Sequence, residues 1–493
     1  MRRGLVPLAA LTLAVLGGLG TPAATAAAPT PPLTHDGRWV TDAEGRVVIL
    51  HGVNMVYKRP PYAPSAAGFG ANDARFLADN GFNTVRLGVI YKGVEPSPHH
   101  YDDAYLDQIA ATEQTLAAQG IYSLVDFHQD LYNERFQGEG FPDWAVQDDG
   151  LPAQPQLGFP GNYLAQPATI RAFDHFWAND PGPGGIGLQD YYARAWRHVA
   201  TRFAGADHVL GYDLFNEPWP GSVWPTCANP AGCPLFDTGP LASMTRKATS
   251  AIRKVDATHM VWQEPNVIFN NGADSSLPKI GSNSGFSFHD YCLTAAEVPI
   301  PFGQDCDVFD GLVFDNADKQ SSETGQALLL SEFGATNDAM TLGRVIELAD
   351  EHMVSWQYWH YCECDDPTTS GTGVQGVVRR ADRPPSGQNL NRAKLALLER
   401  PYPQATAGTP ERVHFDPESR AFHLAYSTSA PSGELPRELT TDVFVPPIHY
   451  PHGYRVRVDG ATVVSAPDAT HLELERETGA TRVTLALWPR GGQ

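Results

Sequence analysis

Up to about Pro401 the chain repeats one pattern. Short runs rich in apolar residues occur at residues 47–53, 84–89, 122–127, 209–215, 260–263, 286–289, 327–331 and 354–359. A strand that is apolar at every position has both faces buried, as in a parallel sheet covered by helices. The stretches 71–80, 103–119, 189–203, 239–255 and 341–352 lie between them and space their apolar residues as helices do. Alternating strands and helices predict parallel strands joined by crossovers, and eight such strands close into a (β/α)8 TIM barrel over residues 33–400.

Two departures from this pattern are informative. Residues 129–187 are rich in Pro and Gly and carry Phe141, Trp144, Phe159, Tyr163, Phe173, Phe176 and Trp177. So long an insertion in a barrel is expected to build the wall of a site. Beyond Pro401 the runs 412–415, 421–427, 441–445, 454–458, 471–475 and 481–488 become β-like, with turns at Asp459-Gly460 and Thr478-Gly479 between them. Residues 401–493 are therefore expected to form a small β-sandwich. A structural domain packed on the barrel is the simpler reading of it, and a glycan- or lipid-surface-binding module is the alternative.

Composition sets the compartment. Met1-Arg2-Arg3, the apolar run from Leu5 to Leu19 and the small residues Ala24-Thr25-Ala26 have the order of a secretory signal peptide, placed at residues 1–28. Secretion to the extracellular medium is the expectation. A formal net charge of −21 argues against nucleic acid and against general attraction to anionic membranes. The six cysteines suit disulfides in an oxidising compartment. Cys227 with Cys233, and Cys292 with Cys306, would close short loops, and the spacings match no common zinc site. Cys362 and Cys364 are separated by a single residue, and their pairing stays open.

The chemistry lies where strands end. Leu214-Phe215-Asn216-Glu217 and Leu330-Ser331-Glu332 are apolar runs that stop at a carboxylate, which is how a barrel strand brings an acid to its rim. Two carboxylates facing each other across a sugar suffice to hydrolyse a glycosidic bond. Lys58, Arg86, Asp126, His128, Asp130, Asn216, His289, Tyr291 and Trp359 fall at or just beyond the ends of other predicted strands and converge on the same mouth.

Arg86, His128, Asn216-Glu217-Pro218, His289-Asp290-Tyr291, Glu332 and Trp359 resemble, in order and strand position, glycoside hydrolase family 5. Asp126-Phe127-His128-Gln129-Asp130, Phe173-Asp174-His175-Phe176-Trp177 and the C-terminal β-domain make the chain look like the endoglycoceramidase branch. The resemblance implies that Glu217 is the acid/base and Glu332 the nucleophile of a retaining hydrolase that frees an oligosaccharide from ceramide. It implies that Asn216 holds the sugar 2-hydroxyl, that Arg86 and Tyr291 support Glu332, and that His128 and His289 bond within the sugar subsite. Trp359 would lie beneath the sugar, and Lys58, Asp126, Asp130 and Trp177 would line the glycan side. No metal or organic cofactor is implied. A monomer is expected, whose partner is a glycosphingolipid met in a micelle or at a membrane surface.

The ceramide slot is expected among Trp219, Trp224, Val267, Ile268, Phe269, Val298, Ile300, Phe302 and Phe314. The bulky segment 55–62 and the Cys-X-Cys segment 359–366 depart from the branch pattern beside the sugar subsites. They leave two alternatives open, an endogalactosylceramidase and a family 5 endo-β-glucanase or mannanase. A lectin-like barrel without catalysis is disfavoured because both glutamates are kept.

Overall fold

The computed structural model describes residues 28–291, 306–369 and 372–491. The signal-peptide reading and most of the loop after Tyr291, including Cys292, Val298, Ile300 and Phe302, lie outside them. Eight parallel strands close into a barrel: β1 His51–Met55, β2 Thr84–Ile90, β3 Tyr122–His128, β4 Val209–Asp213, β5 Met260–Gln263, β6 Ser284–Asp290, β7 Ala327–Phe333 and β8 Ser355–Tyr358. Every residue of these strands is buried, as the unbroken apolar runs require. Close packing leaves no room for a side chain at Gly285, where a Cβ would lie 2.0 Å from the Trp262 ring.

Helices cover the barrel and fix its rim. The helix Asp103–Ala117 starts where the Asp102 side chain accepts the Tyr105 N–H, satisfying one of the free donors of the first turn. The helix Leu188–Phe203 buries Tyr192, Trp196 and Phe203. Its Trp196 Nε1 and Tyr192 hydroxyl both donate to the Leu214 carbonyl, at 3.0 and 2.8 Å. Two buried core aromatics thus also hold the segment that leads into Asn216-Glu217. Within the 129–187 insertion, the helix Pro167–Trp177, which was not anticipated, packs its buried face on Phe141 and Phe215.

The predicted run 47–53 is in fact two strands. Val47–Val48 pairs with Tyr402–Thr406, and only His51–Met55 enters the barrel. With Thr34–Asp36 and Trp39–Thr41 it joins a seven-stranded sheet whose other members are Tyr402–Thr406, Thr441–Phe444, His471–Arg476 and Ala461–Val463. The segment assigned to the barrel from residue 33 therefore builds the second domain as well. A four-stranded antiparallel sheet of Thr409–Asp416, Ala421–Ser427, Arg482–Pro489 and Tyr454–Asp459 faces it, with Phe415, Phe422, Leu424, Leu472, Leu474 and Leu485 between. The Arg400–Asp350 ion pair (2.6 Å) and the Tyr402 hydroxyl on the Gly81 carbonyl (2.6 Å) are buried where this domain meets the barrel.

Cys227 is bridged to Cys233, and Cys362 to Cys364. The second pairing resolves what the one-residue spacing left open. Cys306 is also disulfide-bonded.

Candidate active site

The backbone leaves β4 at Asp213 and turns sharply. Glu217 takes a left-handed conformation, φ 46°, which is unusual for a residue with a Cβ and persists only when its surroundings hold it. The holding contacts are on either side. The Glu217 N–H donates to Glu264 Oε2 at 2.8 Å, and Gln129 Nε2 donates to the Asn216 carbonyl at 2.9 Å. Thus oriented, the Glu217 carboxyl accepts the Asn270 amide at 2.7 Å and lies 3.0 Å from His289 Nδ1.

Glu332, on β7, receives Arg86 Nη1 at 2.5 Å and the Tyr291 hydroxyl at 2.9 Å. Oxygens of Glu217 and Glu332 lie within 4.8 Å of each other and of a His289 nitrogen. Arg86 is completely buried. It also reaches Asp126 (3.0 Å), Asp213 (2.9 Å), Glu264 (2.7 Å) and the Asn216 side-chain oxygen (2.9 Å). Burial raises the pKa of Glu332, while the nearby His289 and Arg86 pull against that rise. Burial and the nearby Asp213 push the Glu264 carboxyl upward too, His289 and Arg86 oppose them, and its two oxygens accept Arg86 Nη2 at 2.7 Å and the Glu217 N–H at 2.8 Å, as an ionised carboxylate does. Burial works against a charged His289, yet Glu264 and Glu332 outweigh it and raise its pKa well above that of a free imidazole.

Glu217 and Glu332 open onto a cavity of about 210 Å³ with a mixed polar and apolar lining. The polar lining includes Lys58, whose Nζ bonds Asp130 at 2.6 Å and Thr368 at 2.7 Å, lies 3.2 Å from Asp366 and sits 4.4 Å from the centre of the Trp359 ring. His128 stacks on the same ring and donates from Nδ1 to Asp126 at 2.8 Å. Burial disfavours its charge, but Asp126 and Asp130 bring its pKa up to about 10. Burial likewise opposes charge on Asp130, and Lys58 and His128 overcome it, holding that carboxyl below the usual range. Phe159, Pro160, Tyr163, Leu164, Trp219, Val267 and Ile268 form the apolar part of the wall, and the Tyr163 hydroxyl accepts the Leu131 N–H at 2.9 Å. An aromatic floor with fixed polar groups fits a pyranose, and an apolar wall fits hydrocarbon.

Most of the residues singled out from the sequence meet here, but not all touch the cavity. Lys58, His128, Asp130, Asn216, Glu217, Tyr291, Glu332 and Trp359 line it. Arg86 and His289 lie directly beneath the two carboxylates. Asp126, expected to line the glycan side, is instead sealed below, where it supports Arg86 and His128. Trp177, expected there too, does not line the cavity. Its ring is buried against Phe215 and Phe236, and its Nε1 donates to the Trp219 carbonyl at 2.7 Å, because an indole that large is better covered beneath the loop than exposed on it. Of the slot candidates, Trp219, Val267 and Ile268 line the cavity, Trp224 lies against Trp219, and Phe269 and Phe314 are core. The sequence reading missed Glu264, Asn270, Asp213, Thr368 and Gln375, whereas Phe159 and Tyr163 lie in the insertion expected to build the wall and Asp366 in the segment expected beside the sugar subsites. Glu264 directly follows the run 260–263 and was recoverable by the same strand-end rule as Glu217.

Three acid groupings have spacings that could hold a metal ion: Asp126/Asp213/Glu264, His128/Asp130/Glu139 and Glu217/His289/Glu332. Each already faces a cation of the protein. Arg86 serves the first and third, and Lys58 the second.

Comparison with known proteins agrees with this geometry. The chain matches the family Cellulase (glycosyl hydrolase family 5) over residues 41–365 and the glycoside hydrolase family 5 C-terminal domain over residues 400–486. It is 35% identical over 460 residues to endoglycoceramidase I of Rhodococcus hoagii, covering 90% of this chain and 85% of that one. Endoglycoceramidase of Hydra vulgaris is 28% identical over 486 residues, covering 91% and 87%. Among solved structures, endo-glycoceramidase II from Rhodococcus sp. in complex with ganglioside GM3 superposes with a TM-score of 0.73 at 29% identity, covering 94% of this chain and 100% of that one.

Proposed function

We propose that this chain, which belongs to glycoside hydrolase family 5, cleaves the β-glycosidic bond between the oligosaccharide and the ceramide of glycosphingolipids. The observation that carries this reading is the mixed lining of one cavity. Lys58, Asp130, His128 and Trp359 offer a sugar site beside the carboxylates, and Phe159, Tyr163, Leu164, Trp219, Val267 and Ile268 give the same cavity a hydrocarbon wall. The endoglycoceramidase relatives, one of them bound to a ganglioside, support the same substrate class. A polysaccharide-cleaving barrel would need a polar cleft on both sides of the cut.

The mechanism we infer is double displacement with retention. The separation of the carboxylates, within 4.8 Å, suits a direct attack and leaves no room for an intervening water. Glu332, kept ionised and aimed by Arg86 and Tyr291, attacks the anomeric carbon. Glu217 gives its proton to the ceramide oxygen as that bond breaks. Glu217 then takes a proton from water, which attacks the same carbon and releases Glu332. Asn216, fixed by Arg86 and by the Gln129 carbonyl (3.0 Å), would bond the 2-hydroxyl. We also propose that the protein is secreted and works as a monomer. Leu164, which lines the cavity and is about half exposed, would meet the lipid surface.

Incubating the purified protein with defined glucosyl- and galactosyl-linked glycosphingolipids in detergent and with soluble β-glucans, then weighing the products by mass spectrometry, tests the reading. Intact oligosaccharide plus ceramide is expected, and the preferred lipid identifies the first sugar. Glucan fragments with the lipids left whole would overturn it.

A further inference from the structure

We infer that Glu264 is a positioning residue that holds His289 as an imidazolium between the two catalytic carboxylates, so that one proton donor serves whichever of them bears the negative charge. This rests on the double-displacement reading above. In that reaction the pair carries a single negative charge throughout, but the charge moves: it sits on Glu332 in the resting enzyme and on Glu217 once Glu332 is esterified by the sugar.

The geometry suits that migration. His289 Nδ1 lies 3.0 Å from Glu217 Oε1 and 3.6 Å from Glu332 Oε2. A donor N–H at this position can turn toward either oxygen with little movement of the ring, and a charged donor in a dry site is worth more than a neutral one. Its other nitrogen, Nε2, lies 3.4 Å from Glu264 Oε1. Glu264 does more than face the ring. Its Oε1 accepts Arg86 Nη2 at 2.7 Å, and its Oε2 accepts the Glu217 backbone N–H at 2.8 Å. Both Glu264 oxygens accept donors, the bonding of an ionised carboxylate and not of a neutral acid, so one anion faces the imidazole, the guanidinium beside Glu332 and the left-handed peptide that aims Glu217.

The charged groups facing this assembly are Arg86 on β2, Asp126 on β3, Asp213 on β4, Glu217 beyond β4 and Glu332 on β7. Asp126 and Asp213 lie within 4.8 Å of Glu264. Carboxylates outnumber cations around the imidazole, and the direction of the His289 shift agrees. Replacing Glu264 with Gln removes the anion at Nε2 while keeping its shape. The sign follows: a less stabilised imidazolium gives up its proton at lower pH.

The test is nitrogen NMR of the His289 ring in wild-type protein, assigned by loss of its signals in His289→Asn. Both ring nitrogens should be protonated near pH 6 in the wild type. The midpoint should fall by about one pH unit or more in Glu264→Gln, a tenfold or larger change in proton affinity. Glu264→Asp should fall between. Activity on the glycolipid should drop at least about tenfold in Glu264→Gln without loss of the folded far-ultraviolet spectrum. A neutral His289 in the wild type, or an unchanged midpoint in Glu264→Gln, overturns the inference. Should the Gln variant not fold, the wild-type and Asp measurements still decide. If the wild type shows no glycosidase activity while His289 is charged, the functional proposal fails and the charge assignment stands.

Discussion

Arg86→Met is the perturbation that exposes the electrostatics of the site most sharply. The wild-type guanidinium is completely buried and lies within 3.0 Å of Asp126, Asp213, Glu264 and Glu332. Methionine fills much of the volume but leaves these carboxylates without their main counter-ion. Breaking one buried pair costs roughly 3–5 kcal/mol because the abandoned charge stays desolvated. With an unfolding entropy on the order of 0.7–1 kcal/mol/K for a barrel of this size, that lowers the melting temperature by about 3–7 °C. The loss depends on pH. Without Arg86 the buried acids titrate higher than in the unfolded chain, so the folded state binds more protons. Stability is then kept below an ordinary carboxylate pKa of about 4 and is lost as pH rises through the raised values. Thermal melts followed by circular dichroism and calorimetry near pH 5 and near pH 7.5 measure this directly. A larger loss is expected at the higher pH. A variant melting within about 1 °C of wild type at pH 7.5, or one more destabilised at pH 5, would refute the reasoning.

The wild-type protein should itself melt higher near pH 5.5 than near pH 8.5, because burial raises Glu95 to about 7 and Glu399 to about 8, and both lose stability as pH rises through those values; equal melts would contradict it. Trp177→Ala should cost about 3–5 kcal/mol of stability as a core truncation and should raise KM by letting the Trp219 loop relax; unchanged melting with altered glycan selectivity would return Trp177 to the sugar site. Removing one alkyl chain from the ceramide should lower kcat/KM steeply, since each buried methylene contributes about 0.8 kcal/mol; equal rates on the intact and lyso lipids would contradict a hydrocarbon slot. Leu164→Asp should slow hydrolysis of glycolipid in vesicles far more than in detergent micelles, as measured by ceramide release, and a uniform effect would remove Leu164 from the lipid surface.

The barrel was legible because its strands are buried on both faces and therefore apolar throughout, and because a carboxylate ending such a run has few structural uses. The same rule located Glu217 and Glu332. It failed at residues 47–53, where one apolar run serves two sheets: nothing in Val47 through Val53 marks the point where the chain leaves the sandwich and enters the barrel. Pairing of Val47–Val48 with Tyr402–Thr406 joins segments about 350 residues apart, which local periodicity does not encode. Trp177 shows a different limit. An aromatic in a wall-forming insertion reads the same whether it faces the cavity or supports the loop that does. Asn270 belongs to no recognisable motif, and only its approach to Glu217 in space marks it out.

The measurement that bears most directly on the central claim is proton NMR of hydrolysis in deuterated detergent, following the anomeric signal of the sugar first released from a defined glycosphingolipid. The account predicts intact oligosaccharide appearing as the β-anomer, together with ceramide, before mutarotation, and no measurable release by Glu332→Gln. First appearance of the α-anomer, stepwise loss of monosaccharides from the far end of the glycan, or undiminished turnover by Glu332→Gln would contradict it.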